Sequence, residues 1–426
     1  MAEPAAIALR LVRPGPQLLT LPWARPLATW GEADARFVEL PVGTSRHLVR
    51  FCVVDGEVLA VKELALWPAR REYEALRVLE QRQLPAVRAV GLGERPADDA
   101  AIVVTRFLAR SFQYRRLFVR LREGTVAQRE RLLDAMAGLL VELHRRGVYW
   151  GDCSLANTLL VRDGQTLQAN LVDAETAEIH DQLSDGQRAF DLELMVENVA
   201  GDLADVAAID SRGLEDVDDD IAVAESIGTR YADLWDELHR EEPVAPGDRY
   251  AVEARLRRLT DLGFVVDEVT FEPGPTGDAL RLKVAVADRR YHASRLFDLT
   301  GLQVGEGQAA ILLNDLNASA GAPGAPSTPD GLGRWWLEHC LEPAVGRLRA
   351  TLGRDIDPIQ AYCDLLEVRW LLSERAGADV GTDAALAALA ARLTPAGSAA
   401  DLAAAEAASG VWRVEDLVGG EPDPVP

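Results

Sequence analysis

The stretch LHRRGVYWGDCSLANTLL, residues 143–160, decides how this chain is read. It begins as a helix end closed by Gly147, crosses a polar loop and enters a short apolar strand. Asp152 and Asn157 stand five positions apart in that loop.

Upstream, Val58-Leu59-Ala60-Val61-Lys62 is an apolar, strand-like run that ends on a lysine, one of only two lysines among the 45 basic residues. An ammonium is a compact point charge that fits between two phosphate groups, whereas a guanidinium forks onto them. The plainer reading is that an arginine-biased composition left a lysine there by chance. Further on, Arg71-Glu72-Tyr73-Glu74-Ala75-Leu76-Arg77-Val78-Leu79 has helical spacing, with Ala75, Leu76 and Leu79 at i+3, i+4 and i+7 from Glu72. Glu72 therefore borders a buried stripe. Downstream of the opening stretch, Asn170-Leu171-Val172-Asp173-Ala174-Glu175 is an apolar strand end that delivers a carboxylate.

In this order the residues resemble the protein-kinase-like fold: a strand lysine, a helix glutamate, an aspartate and an asparagine spaced D-x-x-x-x-N, and a metal-binding aspartate after a strand. Trp150-Gly151-Asp152 resembles the H-G-D loops of small-molecule and lipopolysaccharide-type kinases more than the H-R-D of protein kinases. The resemblance implies that Lys62 holds the phosphates of ATP and that Glu72 aims it. Asn157 and Asp173 would ligate Mg²⁺, and Asp152 would accept the proton of the acceptor hydroxyl. Arg106 and Leu108, in the inter-lobe hinge Val103–Leu108, complete the implied nucleotide site with Gly43, Thr44 and Ser45. Each has a plainer reading, Glu72 as an exposed helix charge and Asn157 as a turn residue. For Asp152 and Asp173 that reading is weakest, since an unpaired carboxylate against an apolar strand end is costly.

Several positions depart from the pattern. The nucleotide-covering hairpin Phe37–Phe51 contains the single glycine Gly43 where a G-x-G-x-x-G is usual. Trp150 replaces the loop histidine, Ser154 stands where many protein kinases carry lysine, and Ala174-Glu175 replaces Phe-Gly. Glu175 reads equally as a further metal ligand and as a solvated carboxylate. Between Asp173 and the next apolar helix, Ala189–Ala200, there is no A-P-E and little chain for docking a peptide, which favours a small-molecule or glycolipid-like acceptor. Asp191, on that helix, matches the aspartate that braces the catalytic loop.

Composition bounds the rest. The formal charge of −23 lies almost wholly in the second half: residues 1–200 carry 25 basic and 27 acidic side chains, against 20 and 41 in the remainder. Such acidity argues against a nucleic-acid partner and leaves open a protein partner or self-association through the acidic half. Arg106, Arg110, Arg115, Arg116, Arg120, Arg122, Arg129 and Arg131 gather an anionic substrate, dock the acidic half, or form a solvated helix face. No run reaches the ~18 apolar residues of a membrane span, and Met1-Ala2-Glu3-Pro4 lacks a signal-peptide n-region. Cys52, Cys153, Cys340 and Cys363 show no C-x-x-C spacing, so neither a disulfide framework nor a zinc site is expected, and a cytoplasmic setting is.

The expected organisation is α+β: an N-terminal extension over 1–34, a kinase-like N-lobe over 35–110 and C-lobe over 111–235, a small α/β domain over 236–318, a flexible linker over 319–330, a helical domain over 331–395, and an Ala-rich segment with a disordered tail over 396–426. In the α/β unit, helix 249–259 precedes strands 264–271 and 280–286, and residues 296–316 resemble a helix-turn-helix whose acidic surroundings favour packing over groove reading. Trp335, Trp336 and Trp370 read as core aromatics. Taken whole, the kinase-like half, the R-Y-x-V-E-A-R-L-R-R-L of 249–259 and the E-x-R-W-x-L-S-E-R-A-G of 367–377 resemble a largely actinobacterial family of lipopolysaccharide-kinase-like proteins with a C-terminal domain of unknown function. The function implied is an ATP- and Mg²⁺-dependent phosphotransferase acting on a hydroxyl. A pseudokinase that senses nucleotide or serves as a scaffold is the alternative, and AMP transfer is a third.

Overall fold

The structure is a computed structural model, which describes residues 7–40, 47–114, 126–209, 217–273, 280–353 and 356–393. The hairpin positions Gly43, Thr44 and Ser45, the arginines 115, 116, 120 and 122, the start of the acidic run at 215–216 and the tail beyond 393 lie outside the described residues. The chain forms two compact units. Among the described residues, one contains those up to Val161 and Gln168–Arg230; the other contains Arg162–Leu167 and those from Tyr231 to Leu393.

The first unit opens with β1 (Ala8–Leu11), α1 (Pro16–Thr20), β2 (Arg36–Val38), β3 (Leu48–Val54), β4 (Glu57–Ala65), α2 (Leu66–Gln81), β5 (Ala89–Arg95) and β6 (Ala100–Arg106). Six strands pair antiparallel in the order β1-β5-β6-β4-β3-β2. Asp55 and Gly56, at φ 51° and 79°, make the tight β3–β4 turn, a conformation natural to an Asp-Gly pair. Lys62 falls inside β4 instead of at its end, between Val49 on β3 and Val103 on β6. The strand continues because the next charged residue, Glu63, is itself satisfied by Arg95 and by the Leu27 N–H at 3.0 Å. Helix α2 starts earlier than its apolar spacing suggested, since Pro68 in a first turn removes no helical hydrogen bond.

The segment expected as an extension over 1–34 is part of this lobe. Strand β1 pairs with β5, and Trp23, Leu27 and Trp30 are buried against Cys52, Leu59, Val61 and Val104. Its Pro-rich sequence has no periodicity, so only the sheet that it covers shows its role. A Cβ at Gly93 would stand 2.3 Å from the Trp23 ring, so glycine lets the indole lie directly on β5.

The unit continues through β7 (Ser111–Gln113), α3 (Val126–Arg145), β8 (Val148–Tyr149), β9 (Thr158–Asp163), β10 (Thr166–Leu171), β11 (Glu178–Ile179) and α4 (Asp185–Ile209) into α5 (Val217–His239). Strands β10, β9 and β7 form one small sheet, and β11 and β8 another. Gly147 closes α3 at φ 69°, and a Cβ there would meet the His180 carbonyl at 2.2 Å.

The second unit holds β12 (Glu242–Val244), α6 (Arg249–Asp261), β13 (Val266–Pro273), β14 (Leu280–Val286), α7 (Tyr291–Thr300), α8 (Glu306–Ser319), α9 (Pro329–Trp336), α10 (Glu342–Leu352), α11 (Pro358–Ala376) and α12 (Gly381–Leu393). Its three strands run in the order β12-β14-β13. Leu296, Leu312, Leu316, Trp336, Leu348, Cys363, Leu365 and Leu389 belong to one core, so the boundaries expected at 318 and 330 separate no cores. The Gly-Pro-Ala segment read as a flexible linker is a set of turns, with Ala322 N–H on the Ser319 carbonyl and Ala325 N–H on that of Ala322. The helix-turn-helix spacing serves packing: Leu296 of α7 and Ala309, Leu312, Leu313 and Leu316 of α8 are buried. Trp336 is fully buried, whereas Trp370, expected as core, is 61% exposed.

Candidate phosphotransfer site

Four charged side chains from β4, α2 and the segment after β10 converge. The Lys62 ammonium lies 2.6 Å from Asp173 Oδ2, 3.2 Å from Glu72 Oε2 and 3.7 Å from Glu175 Oε2. Alternation along β4 points Lys62 toward α2, and helical spacing points Glu72 inward, where it is buried. Burial works to lower the Lys62 pKa, but Glu72, Asp173 and Glu175 outweigh it and the net shift is upward. The Glu72 carboxyl is pushed up to about 8, first by burial and then by Asp173, more than Lys62 pulls it down.

Three carboxylates around one ammonium leave this cluster short of positive charge. Ligand oxygens of Glu72, Asp173 and Glu175 lie within 4.8 Å of one another. Glu72 Oε2 and Glu175 Oε2 are buried without a hydrogen-bond donor, although Lys62 Nζ stands 3.2 Å from the former and His47 Nε2 3.2 Å from the latter. Both nitrogens are within ion-pair distance but out of line for a hydrogen bond. Hard, under-satisfied carboxylate oxygens are the donor set that suits Mg²⁺, so the residues present fit such a cation.

The catalytic loop is held from α4. Asp191, fully buried, accepts the N–H groups of Trp150 and Gly151 at 2.8 Å each and faces His144 Nε2 at 2.9 Å. Asp202 accepts the N–H groups of Leu155 and Ala156 at 2.9 and 3.2 Å. Asn198 Nδ2 donates to Asp152 Oδ1 at 3.3 Å, and Asn157 Nδ2 donates to Asp152 Oδ2 at 2.9 Å. Asp191, Asn198 and Asp202 stand at i, i+7 and i+11, one stripe of the helix. That spacing was available in the sequence, and it would have found Asn198 and Asp202, which the motif reading missed.

Trp150 replaces the usual histidine without losing a tether, since its indole N–H donates to the Asp173 carbonyl at 3.2 Å. Asn157 accepts the Val172 N–H on its own carbonyl at 3.1 Å, which brings the end of the catalytic loop beside Asp173. Arg71, one residue before Glu72, donates to the Thr176 and Ala177 carbonyls at 3.1 and 3.3 Å and so ties α2 to the chain just past Glu175. Of the two residues expected at the hinge, Arg106 pairs its guanidinium with Glu57 at 2.9 Å, and Leu108 is half-buried just beyond β6.

Residues 57–209 match the lipopolysaccharide kinase (Kdo/WaaP) family, and residues 233–393 match a domain of unknown function, DUF4032. A solved structure of WaaP in complex with acyl carrier protein is similar at 22% identity and a TM-score of 0.35, over 54% of this chain and 99% of that one. No curated protein matches the chain. The fold is α+β. The chain thus joins a region that matches the lipopolysaccharide kinase family to one that matches a domain of unknown function, the combination that its motifs resemble.

Proposed function

We propose that this protein is an ATP- and Mg²⁺-dependent phosphotransferase that acts on a hydroxyl of a small-molecule or glycolipid-like acceptor. The observation that carries the reading is the Lys62 ammonium set against Glu72 and Asp173, with Asp152 fixed on the loop that α4 braces. The lipopolysaccharide-kinase match supports a sugar-bearing acceptor, and the short chain between Asp173 and α4 leaves little room to dock a peptide.

In this reading Lys62 orients the transferring phosphates and Glu72 keeps its ammonium aimed. Asp173 and Asn157, with Glu175 beside them, hold the cation. Mg²⁺, when bound, neutralises charge that develops on the phosphoryl oxygens. Asp152 receives the proton of the acceptor hydroxyl on a carboxylate whose two oxygens the Asn157 and Asn198 amides keep in place. The ATP supply that this chemistry needs, and four cysteines without C-x-x-C spacing, fit a cytoplasmic setting. Among the described residues no helix is long and apolar enough to cross a membrane.

The 2.6 Å contact between Lys62 and Asp173 also suits a pseudokinase, in which the two groups neutralise each other with no nucleotide between them. Calorimetric titration of ATP with and without Mg²⁺, with Asp173→Ala as the control, separates the readings. Binding that needs both Mg²⁺ and Asp173 is the expected result. Absence of nucleotide binding would overturn the phosphotransferase and leave the pseudokinase.

A further inference from the structure

The tip of the β9–β10 hairpin, Arg162–Leu167, belongs to the second compact unit. Its polar groups are taken up one by one by that unit's helices. The Arg162 guanidinium meets Asp364 of α11 side-on at 3.0 and 2.6 Å. The Asp163 carboxylate accepts the N–H groups of Gly307 and Gln308, both at 2.8 Å, in the first turn of α8. Gly164 donates its N–H to Gln360 Oε1 at 3.0 Å and accepts from Gln360 Nε2 at 2.9 Å, so one side chain from α11 reads both faces of the turn. Gln360 is held in turn by Asp364 at 3.0 Å and by Gln308 at 3.1 Å.

Backbone approaches backbone just as closely. A Cβ on Gly307 would lie 2.3 Å from the Asp163 carbonyl oxygen, and one on Gly305 2.2 Å from the Asp163 carboxylate. Gly164 takes φ 64°, and its Cβ would lie 2.9 Å from Gly307. A hairpin turn needs only its own residues to close. Here a six-residue tip is bound by three separate anchors that lie more than 140 positions away in the chain.

The two strands that leave this tip end at the candidate site. Asn157 immediately precedes β9, and Asp173 follows the end of β10 by two residues. Paired strands are stiff along their length and transmit a shift in register to both ends. We propose that the C-terminal domain of unknown function positions the phosphotransfer site: Gln360, Asp364 and the first turn of α8 fix the hairpin 158–171, and through it the placement of Asn157 and Asp173. Gln360 and Asp364 are thus positioning residues, and the inference rests on the reading of Asn157 and Asp173 as the cation's holders.

The test uses the full chain with Gln360→Leu, Asp364→Asn, and the exchanged pair Arg162→Asp with Asp364→Arg. Two quantities are read: amide hydrogen exchange over 158–171, with the amides of α10 and α12 as a check that the domain stays folded, and the Kd for ATP with and without Mg²⁺. The single variants are expected to speed exchange in the hairpin and to raise the Kd for ATP with Mg²⁺ about tenfold, the size usual for coupling between separate sites. Affinity without Mg²⁺ should stay unchanged, and the exchanged pair should recover part of the loss. Unchanged hairpin exchange overturns the proposal, as does faster exchange with unaltered Mg²⁺-dependent affinity, because the contacts would then serve only the fold. If the unaltered protein binds no ATP, the phosphotransferase reading fails, and hairpin exchange by itself decides whether the domain holds the hairpin.

Discussion

The ionic cluster around Lys62 and the polar cluster around the hairpin tip both draw carboxylates out of water, and they settle the charge in opposite ways. At the tip, Asp163 has two backbone donors, Asp364 has a side-on arginine, and the amide of Gln360 is bonded at both ends. Around Lys62, three carboxylates share one ammonium, and two of their oxygens have no aligned donor. A buried polar cluster that is complete by itself is architecture, whereas one that is short of positive charge is prepared for a ligand.

The sharpest way to break that contrast is at the catalytic loop. Asp152→Asn should lower phosphotransfer about a thousandfold while ATP affinity with Mg²⁺ stays within about twofold, measured by steady-state turnover beside calorimetry. Turnover that survives would remove Asp152 as the proton acceptor. Next in size, Arg162→Ala leaves the partly buried Asp364 without its cation, with only the Gln360 amide bonded to it. It should cost about 3 kcal/mol in the denaturant transition of the second unit. A loss below about 0.5 kcal/mol would place that pair with ordinary surface ion pairs.

Glu175→Gln should act with the opposite sign on stability. Removing one carboxylate from an acid-rich cluster should stabilise the nucleotide-free protein by about 1 kcal/mol while it weakens ATP binding in the presence of Mg²⁺. A destabilised variant would mean that the cluster is satisfied without a cation, and the contrast would fail. The smallest effect is on pH. Because the folded Glu72 carboxyl titrates near 8, above its ordinary 4.5, the folded state binds the extra proton between those values. Stability measured in EDTA should therefore fall as pH rises through that window, and Glu72→Gln should flatten the slope. An unaltered slope would assign the pH dependence to other groups.

The kinase-like region was legible in the sequence because its chemistry comes in short segments whose order and spacing survive without the fold. Lys62, Glu72, Asp152, Asn157 and Asp173 each stand out as candidates from a local pattern. The weight given to Glu175 could not be settled that way. Tertiary structure sets its carboxylate within 4.8 Å of those of Glu72 and Asp173, residues about a hundred positions apart in the chain. Trp335, Trp336 and Trp370 looked alike in helical spacing, yet Trp336 is buried and Trp370 is 61% exposed, since spacing gives a face but not its neighbour. The expected boundaries at 318 and 330 fall inside one core for the same reason: Gly and Pro mark turns, and turns occur inside one core as readily as between two.

The sequence by itself determined the identity, order and local setting of the groups that would handle nucleotide, cation and proton, because strand alternation, helix stripes and loop spacing are properties of short chain segments. Tertiary structure alone decided which carboxylates meet at Lys62, that the first strand extends the sheet while Trp23 and Trp30 pack in the core against it, and that the turn of a hairpin within 57–209 folds as part of the second unit. Those outcomes depend on contacts between residues far apart in sequence, where the energy comes from surfaces that have no pattern until they touch.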